Sequence, residues 1–116
     1  MDNKKVVQTY IEGFNTGDHA KIISCLTDNV IWEMPGLFHL EGKEQFDMEI
    51  ENDAFEGLPI VVIVRLIEEG QIVVAEGTVK SKLKNGDPFE ASFCDVFHFD
   101  NDKIRQLTGY IMPKKG

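Results

Sequence analysis

The chain has 116 residues, with 12 lysines and arginines against 20 aspartates and glutamates, which gives a net charge of −8. This length is sufficient for one well-packed core, so we expect a single domain over residues 1–116. The acidic charge argues against nucleic acids and anionic membranes as partners, because both require clustered Lys and Arg. The hydrophobic fraction of 42% excludes a disordered chain.

The cysteines and the first residues favour a cytoplasmic protein. Cys25 and Cys94 are the only cysteines, they are far apart, and no Cys-x-x-Cys motif occurs. We therefore expect two reduced thiols rather than a disulfide framework. The first eight residues lack the apolar core of a signal peptide. The longest apolar run, residues 60–64, is far shorter than the ~20 residues of a membrane helix.

Hydrophobic periodicity predicts three helices. The first covers residues 3–15, is capped by Asp2 or Asn3 and ends at Gly17 in a left-handed conformation. Asp18 caps a second helix that ends near residue 26, and the third covers residues 43–55. The apolar positions of the first helix share one face: Val6, Val7, Tyr10, Ile11 and Phe14.

The second half of the chain is rich in β-branched residues and tight turns, which predict strands. A short strand over residues 30–34 stops at Pro35-Gly36. Four longer strands follow, joined by turns such as Asn85-Gly86, and form an antiparallel meander; they cover residues 60–68, 71–83, 89–99 and 103–112. Helices followed by strands indicate an α+β fold in which a curved sheet encloses a cone-shaped ligand site.

One of these strands carries a carboxylate among phenylalanines. Alternation along the strand puts Phe93, Asp95, Phe97 and Phe99 on one face. An unpaired charge there is costly, so the pKa of Asp95 should rise, and the neutral acid could donate a hydrogen bond to an oxyanion. The alternative is a β-bulge or strand end that lets Asp95 reach water or a subunit interface.

Short motifs along nearly the whole chain resemble the small SnoaL-like or ketosteroid-isomerase-like proteins of the nuclear transport factor 2 superfamily. The resemblance implies a cone-shaped cystatin-like fold of class α+β, with three N-terminal helices packed in a strongly curved antiparallel sheet. It also implies a homodimer. The motifs are, in chain order, Val6-Val7-Gln8-x-Tyr10, Asn15-x-Gly17-Asp18, Leu26-x-Asp28, Trp32-Glu33-Met34-Pro35-Gly36, Gly42-Lys43-x-x-Phe46 and Cys94-Asp95-Val96-Phe97-His98-Phe99.

The resemblance assigns Tyr10 and Asp95 to an oxyanion hole. In ketosteroid isomerases, a tyrosine of the first helix and a protonated aspartic acid of a late strand hold the substrate oxygen. From the sequence alone, Tyr10 could equally be a core tyrosine whose hydroxyl is satisfied at the rim. The family's carboxylate base is replaced by Met34, which cannot accept a proton.

Two neighbours of Met34 could supply the missing base. Strand alternation directs Glu33 to the opposite face, unless the following turn twists the strand. His39 follows that turn near the expected mouth of the pocket and has a suitable pKa for general base catalysis. An exposed loop histidine without a catalytic role is the alternative for His39.

Apolar residues are expected to form the walls of the pocket, although each could simply pack in the core: Phe14, Trp32, Met34, Phe46, Ile50, Phe93 and Phe97. The expected ligand is a small apolar molecule that bears a carbonyl or a phenol. The three scattered histidines predict no metal site, and the lack of a phosphate-binding loop predicts no nucleotide cofactor.

Two alternative functions fit the predicted fold and pocket. The first is an enzyme that catalyses isomerisation, cyclisation or dehydration through an enol or enolate. The second is a non-catalytic small-molecule-binding or dimerisation module on the same fold, which the methionine at position 34 favours. The outward positions Val96 and Tyr110 are compatible with a homodimer.

Overall fold

The computed structural model describes residues 2–51 and 54–114. One curved sheet contains all six strands of these residues, in the order β2-β1-β6-β5-β4-β3. Three helices accompany the sheet. The elements are, in chain order, α1 (Asn3–Thr16), α2 (His19–Ile23), β1 (Leu26–Met34), β2 (Phe38–Glu41), α3 (Lys43–Ile50), β3 (Phe55–Glu69), β4 (Ile72–Leu83), β5 (Pro88–Asp100) and β6 (Lys103–Pro113).

The helix caps are those that the sequence predicts. The side chain of Asp2 accepts a hydrogen bond of 3.0 Å from the backbone N–H of Lys5. Gly17 ends α1 with a φ of 69°, a left-handed conformation that glycine adopts without steric cost. Asp18 then accepts a hydrogen bond of 3.0 Å from the backbone N–H of Lys21, which starts α2. Both helices therefore begin where an aspartate side chain satisfies the backbone, and the backbone N–H of Gly17 satisfies the end of α1.

The sheet is mixed, so the prediction of a purely antiparallel sheet is wrong. Strand β1 runs parallel to β6, with Ile31 opposite Gln106. The expectation of three N-terminal helices is also inexact, because α3 follows β1 and β2. The turns of the meander fix only neighbouring strands, whereas β1 and β6 are separated by most of the chain, and no local signal sets their relative direction.

Several predicted boundaries differ from the structure, since β1 begins at Leu26 and β3 at Phe55, ahead of the predicted residues 30 and 60. The second helix ends at Ile23, because the buried side chain of Leu26 already belongs to β1, where it is paired with Ile104. The third helix ends at Ile50, and Phe55 already begins β3. Residues 52 and 53 of the predicted helix lie outside the described part of the chain. The short strand β2 was not predicted, because it has only four residues.

Helix α1 lies against the concave face of the sheet, and its C-terminal end is attached to the edge strand β3. The side-chain amide of Asn15 donates to the carbonyl of Val61 at 3.0 Å and accepts from its N–H at 2.6 Å. Asn15 thus pairs with the edge of β3 as a neighbouring strand would. This attachment fixes the distance between α1 and the edge of the sheet.

The sheet bends over α1 at Gly77 of β4. A Cβ atom at this position would collide with the carbonyl oxygen of Val62 and would lie 2.9 Å from Cζ of Phe93. The register of β3 against β4 shifts just beyond this point, between Ile63 and Arg65. A bulge next to a glycine is a common way to bend a sheet sharply.

We expect Gly77→Ala to destabilise the protein by roughly 2–3 kcal/mol, because backbone and ring atoms must move to admit one methyl group. The matched control is Gly86→Ala, where a Cβ meets nothing within 4 Å and only the positive φ of 91° is unfavourable. The control should lose about 1 kcal/mol. Urea unfolding of the three proteins measures both values, and equal losses would contradict the role of Gly77.

Candidate functional site

A cavity of about 610 Å³ lies between α1, the end of α3 and the concave face of the sheet. Its walls are mainly apolar, and it holds most of the residues that the sequence predicts for a ligand site. Seven of the ten predicted residues line it: Tyr10, Phe14, Trp32, Met34, Ile50, Phe93 and Asp95. The sheet also contributes wall residues that the prediction missed, among them Val79 and Ile111, although strand alternation places both on the inner face.

The cavity begins where the side chains of the sheet become small. Across the three central strands, Val73, Phe97 and Leu107 form one row of fully buried side chains. The row beside it contains Asp95 between two residues with little or no side chain, Ala75 on β4 and Gly109 on β6. The first row fills the core, and the second leaves open space around the carboxyl group.

Gly109 also brings Asp95 close to Met34. A Cβ built on Gly109 would lie 3.0 Å from Oδ1 of Asp95 and 3.6 Å from Cγ of Met34. The acid and the thioether therefore stand on two sides of one glycine. The residue that replaces the family's base is thus beside the acid, as the resemblance implies, but it offers no proton acceptor.

The Asp95 carboxyl group is poorly solvated and has no hydrogen-bond partner among the described residues. Desolvation raises its pKa from 3.8 to about 7. A carboxyl group with such a pKa is part acid and part base at neutral pH, which is the condition that general acid–base catalysis requires. Asp95 pairs regularly with Ala75 and Gly109, so no bulge or strand end turns it outward, and its half-buried side chain lines the cavity.

Tyr10 reaches the same cavity from α1. Its ring is held by edge-on contacts with Phe14, Phe46 and Phe97 at centroid distances of 5.1, 6.2 and 5.4 Å. Burial, with a contribution from the charge of Asp95, raises its pKa well above 10. The phenol therefore stays protonated and is available as a donor, and no described residue accepts from it. Tyr10 and Asp95 are two polar side chains of one cavity, without partners of their own.

Two of the predicted wall residues lie behind the wall instead. Phe46 and Phe97 are completely buried and do not line the cavity in the part of the chain that the structure describes. Phe46 stacks on Trp32 with a centroid distance of 4.3 Å, and Phe97 supports the ring of Tyr10. They orient the lining residues, and the sequence pattern could not separate these two layers.

His39 does not lie at the mouth of the cavity. It is on β2, with half of its side chain exposed, and Nε2 is 3.0 Å from Oε2 of Glu41. Its other ring nitrogen is 3.9 Å from Oε1 of Glu33, so both residues are on the outer surface. Strand alternation predicted this position of Glu33. The prediction of His39 as a base near the pocket is not supported, because β2 turns its side chain away.

The mouth of the cavity is formed by residues for which the sequence pattern predicted no role, at the end of α3, in β3 and after β4. Four of the lining residues are exposed to solvent, namely Glu51, Gly57, Leu58 and Lys84. Glu49, near the end of α3, also lines the cavity. Among the described residues, no group of His, Cys, Asp and Glu is suited to a metal ion, and no helix is long and apolar enough to cross a membrane.

The model of the SnoaL-like domain matches residues 7–107. The chain belongs to the SnoaL-like family. The match includes α1, whose Tyr10 enters the cavity, and β5, which carries Asp95. No curated protein matches the chain in sequence.

Solved structures share the fold of this SnoaL-like protein at low sequence identity. An NTF2-like protein of unknown function from Burkholderia pseudomallei has a TM-score of 0.85 and 21% identity, covering 94% of this chain and 90% of that one. An LEH-like epoxide hydrolase from M. tuberculosis has a TM-score of 0.83 and 18% identity, covering 94% and 81%. TerC, co-crystallized with polyporic acid, has a TM-score of 0.83 and 20% identity, covering 92% and 88%.

We expect Asp95→Asn to change how stability depends on pH. The folded protein keeps the Asp95 proton up to about pH 7, whereas the unfolded chain loses it near pH 4, so wild-type stability falls between these values. Asparagine does not titrate, so the variant does not lose stability in this way as the pH rises. The stability of the variant relative to wild type should therefore increase by on the order of 3 kcal/mol between pH 4 and pH 8.

Urea unfolding at pH 4, 6 and 8 measures the free energy of unfolding of both proteins. The other titrating groups are the same in both, so their contributions cancel in the difference between variant and wild type. Asp87→Asn, which changes an exposed aspartate in a turn, should show no such trend. A constant difference between Asp95→Asn and wild type across this range would mean that Asp95 is ionised in the folded protein.

Proposed function

We propose that this SnoaL-like protein binds a flat, mostly apolar molecule whose carbonyl or phenol group lies between Tyr10 and Asp95, with its oxygen accepting a hydrogen bond from Tyr10. The observation that carries this proposal is the pairing of two polar side chains without partners inside an apolar cavity. Their oxygen atoms are open to the cavity, since the described residues include no buried side-chain oxygen or nitrogen without a partner. A ligand oxygen would supply the partner that the protein itself does not.

The chemistry that best fits the site is proton transfer next to a carbonyl group. Ionised Asp95 removes a proton from the carbon beside the carbonyl, and Tyr10 donates a hydrogen bond to the enolate oxygen that forms. Protonated Asp95 then returns the proton to another carbon, which completes an isomerisation. In this scheme one carboxyl group acts in turn as base and acid, so the loss of a carboxylate at Met34 does not prevent the reaction.

The similar structures support a small-molecule site rather than a particular reaction. One is a LEH-like epoxide hydrolase and another was crystallized with polyporic acid, so this fold holds organic ligands in proteins of similar shape. At identities of 18% and 20% they share the fold only. The ligand class comes from the cavity of this chain.

A non-catalytic binding protein is the second candidate. The specific observation in its favour is Met34, which packs beside Asp95 across Gly109 where the related isomerases carry their base. Such a protein would hold the same ligand oxygen with the same two residues. It would leave the proton on the carbon, so solvent deuterium would not enter a bound ketone.

Binding of substituted phenols tests the role of the pair. Trp32 is the only tryptophan and lines the cavity, so its fluorescence reports occupancy. Tyr10→Phe should weaken binding of 2-naphthol about tenfold, the loss of one buried hydrogen bond. In the wild type, affinity should change with pH near 7, and in Asp95→Asn this dependence should disappear.

The matched control is Tyr110→Phe, which removes a hydroxyl group from the outer face of the sheet and should leave phenol binding unchanged. Equal affinities and pH profiles in wild type, Tyr10→Phe and Asp95→Asn would refute the oxygen-binding pair. Enzyme and binding protein are then distinguished by following deuterium exchange into a cyclic ketone at the carbon beside its carbonyl.

We further propose that the protein forms a homodimer through the outer face of its sheet. Strand alternation turns large apolar side chains away from the cavity on β3, β4 and β6. Those on this face that are more than one-third exposed are Ile60, Val62, Ile67, Ile72, Tyr110 and Met112. Exposed apolar side chains on one face of a sheet, here beside the Arg65–Glu76 and Lys80–Glu90 ion pairs, favour an interaction site, and a second copy offers the matching surface. The two free thiols support a cytoplasmic location.

We expect Tyr110→Glu to convert a dimer into a monomer, because it places a charge in the middle of the proposed interface. Leu37→Glu is the matched control, since Leu37 is exposed in the turn between β1 and β2. Sedimentation velocity at micromolar concentration should show dimers for the wild type and the control. A monomeric wild type would overturn the dimer proposal.

A further inference from the structure

The edge strand β3 contains an irregular segment where it passes the mouth of the cavity. Glu56 pairs with Lys82 and Ile60 pairs with Lys80, so three residues, 57–59, stand opposite the single residue Ser81. All three line the cavity. This segment, which we call the mouth bulge, has no regular pairing with β4 and is the outermost part of the cavity wall.

Leu58 of the mouth bulge contacts the C-terminal end of α1. The end of the Leu58 side chain lies over Gly17, the C-cap of α1, where a Cβ atom would be 2.9 Å from Cδ2 and 3.5 Å from Cδ1 of Leu58. Only a glycine at position 17 leaves room for this contact. Leu58 nevertheless remains 51% exposed, so the contact is shallow.

The backbone of the bulge has open space around Gly57. Gly57 has a φ of 73°, and a Cβ built on it would meet nothing within 4 Å. The strand on the far side of the bulge is fixed, because Asn15 holds both backbone groups of Val61. The movable segment therefore ends at Pro59, and Gly57 is its hinge.

We propose that the mouth bulge is the entrance gate of the cavity and that Leu58, seated on Gly17, is the latch that holds it closed. Because Leu58 bridges α1 and β3 across the opening, a flat ligand can pass between them only after this side chain leaves Gly17. The gate should control the rates of entry and release more than the affinity, since the latch contact re-forms when the ligand is inside. The ligand class rests on the proposed function, but the gate itself does not.

Access of a small neutral quencher to Trp32 tests the gate without any assumption about the ligand. In Leu58→Ala, the quenching constant of Trp32 by acrylamide should rise about twofold, because the open state becomes more populated. Leu37→Ala removes an equally large and more exposed leucine away from the cavity and should leave quenching unchanged. Unchanged quenching in Leu58→Ala would overturn the gate.

Binding kinetics of 2-naphthol provide the second readout. Leu58→Ala should raise both the association and the dissociation rate roughly fivefold, as expected for the loss of a half-buried leucine contact in the closed state. The dissociation constant should change less than twofold. A slower association, or a faster release with unchanged association, would show that Leu58 is a ligand contact and not a latch.

A double-mutant cycle tests whether the Leu58 latch rests on Gly17. Gly17→Ala should also speed exchange, because its methyl group displaces the end of Leu58, and it should add nothing in the Leu58→Ala background. Additive effects would contradict the contact between the two residues as the latch. Thermal unfolding of each variant accounts for the strain of alanine at a φ of 69°. If 2-naphthol binds none of the proteins, the proposed function fails and the quenching result still decides the gate.

Discussion

The bend of the sheet over α1 is the constraint on which the cavity depends. A flat sheet would expose its inner face, and a sheet that closed fully on α1 would leave no space. Gly77 permits the carbonyl of Val62 and the ring of Phe93 to approach its backbone, so the edge strand β3 folds over the helix. Asn15 then fixes the distance between the helix and that edge by pairing with Val61.

The bend also explains why a carboxyl group is tolerated in the interior. In the row that contains Asp95, the flanking residues Ala75 and Gly109 leave a space where a more closely packed row would place methyl groups. The space keeps the carboxyl group away from other side chains, but it does not supply a partner. The remaining way to reduce the free energy of the folded state is to keep the proton, which is why the pKa rises to about 7. The folded protein is therefore less stable at neutral pH, but it contains a carboxyl group that can both accept and donate a proton.

Sequence patterns predicted the parts of the site that depend on local periodicity. Strand alternation placed Phe93 and Asp95 on the inner face and Glu33 on the outer face, and capping residues marked the ends of α1. These features need only neighbouring residues in the chain. The parallel pairing of β1 with β6 was not predictable in this way, because no turn joins the two strands.

Sequence periodicity also could not predict how deeply an inward-facing side chain is buried. Phe46 and Trp32 both face inward, yet Phe46 is in the core and Trp32 is in the cavity wall, since one ring stacks behind the other. The mouth was missed for another reason. The bulge at residues 57–59 interrupts the period of two, so alternation gives no direction for Leu58.

Access of water links the proposed gate to the protonation of Asp95. The pKa of Asp95 is raised because few water molecules solvate its charged form, and the closed mouth is one of the barriers between the carboxyl group and solvent. Under the proposed gating, water would enter when Leu58 leaves Gly17, the ionised form would be better solvated, and the pKa of Asp95 would fall. Closure over a ligand has the opposite effect and favours the protonated acid. A gate at the mouth would thus set the direction of proton transfer as well as the rate of entry, with the open cavity favouring the base and the closed cavity favouring the acid.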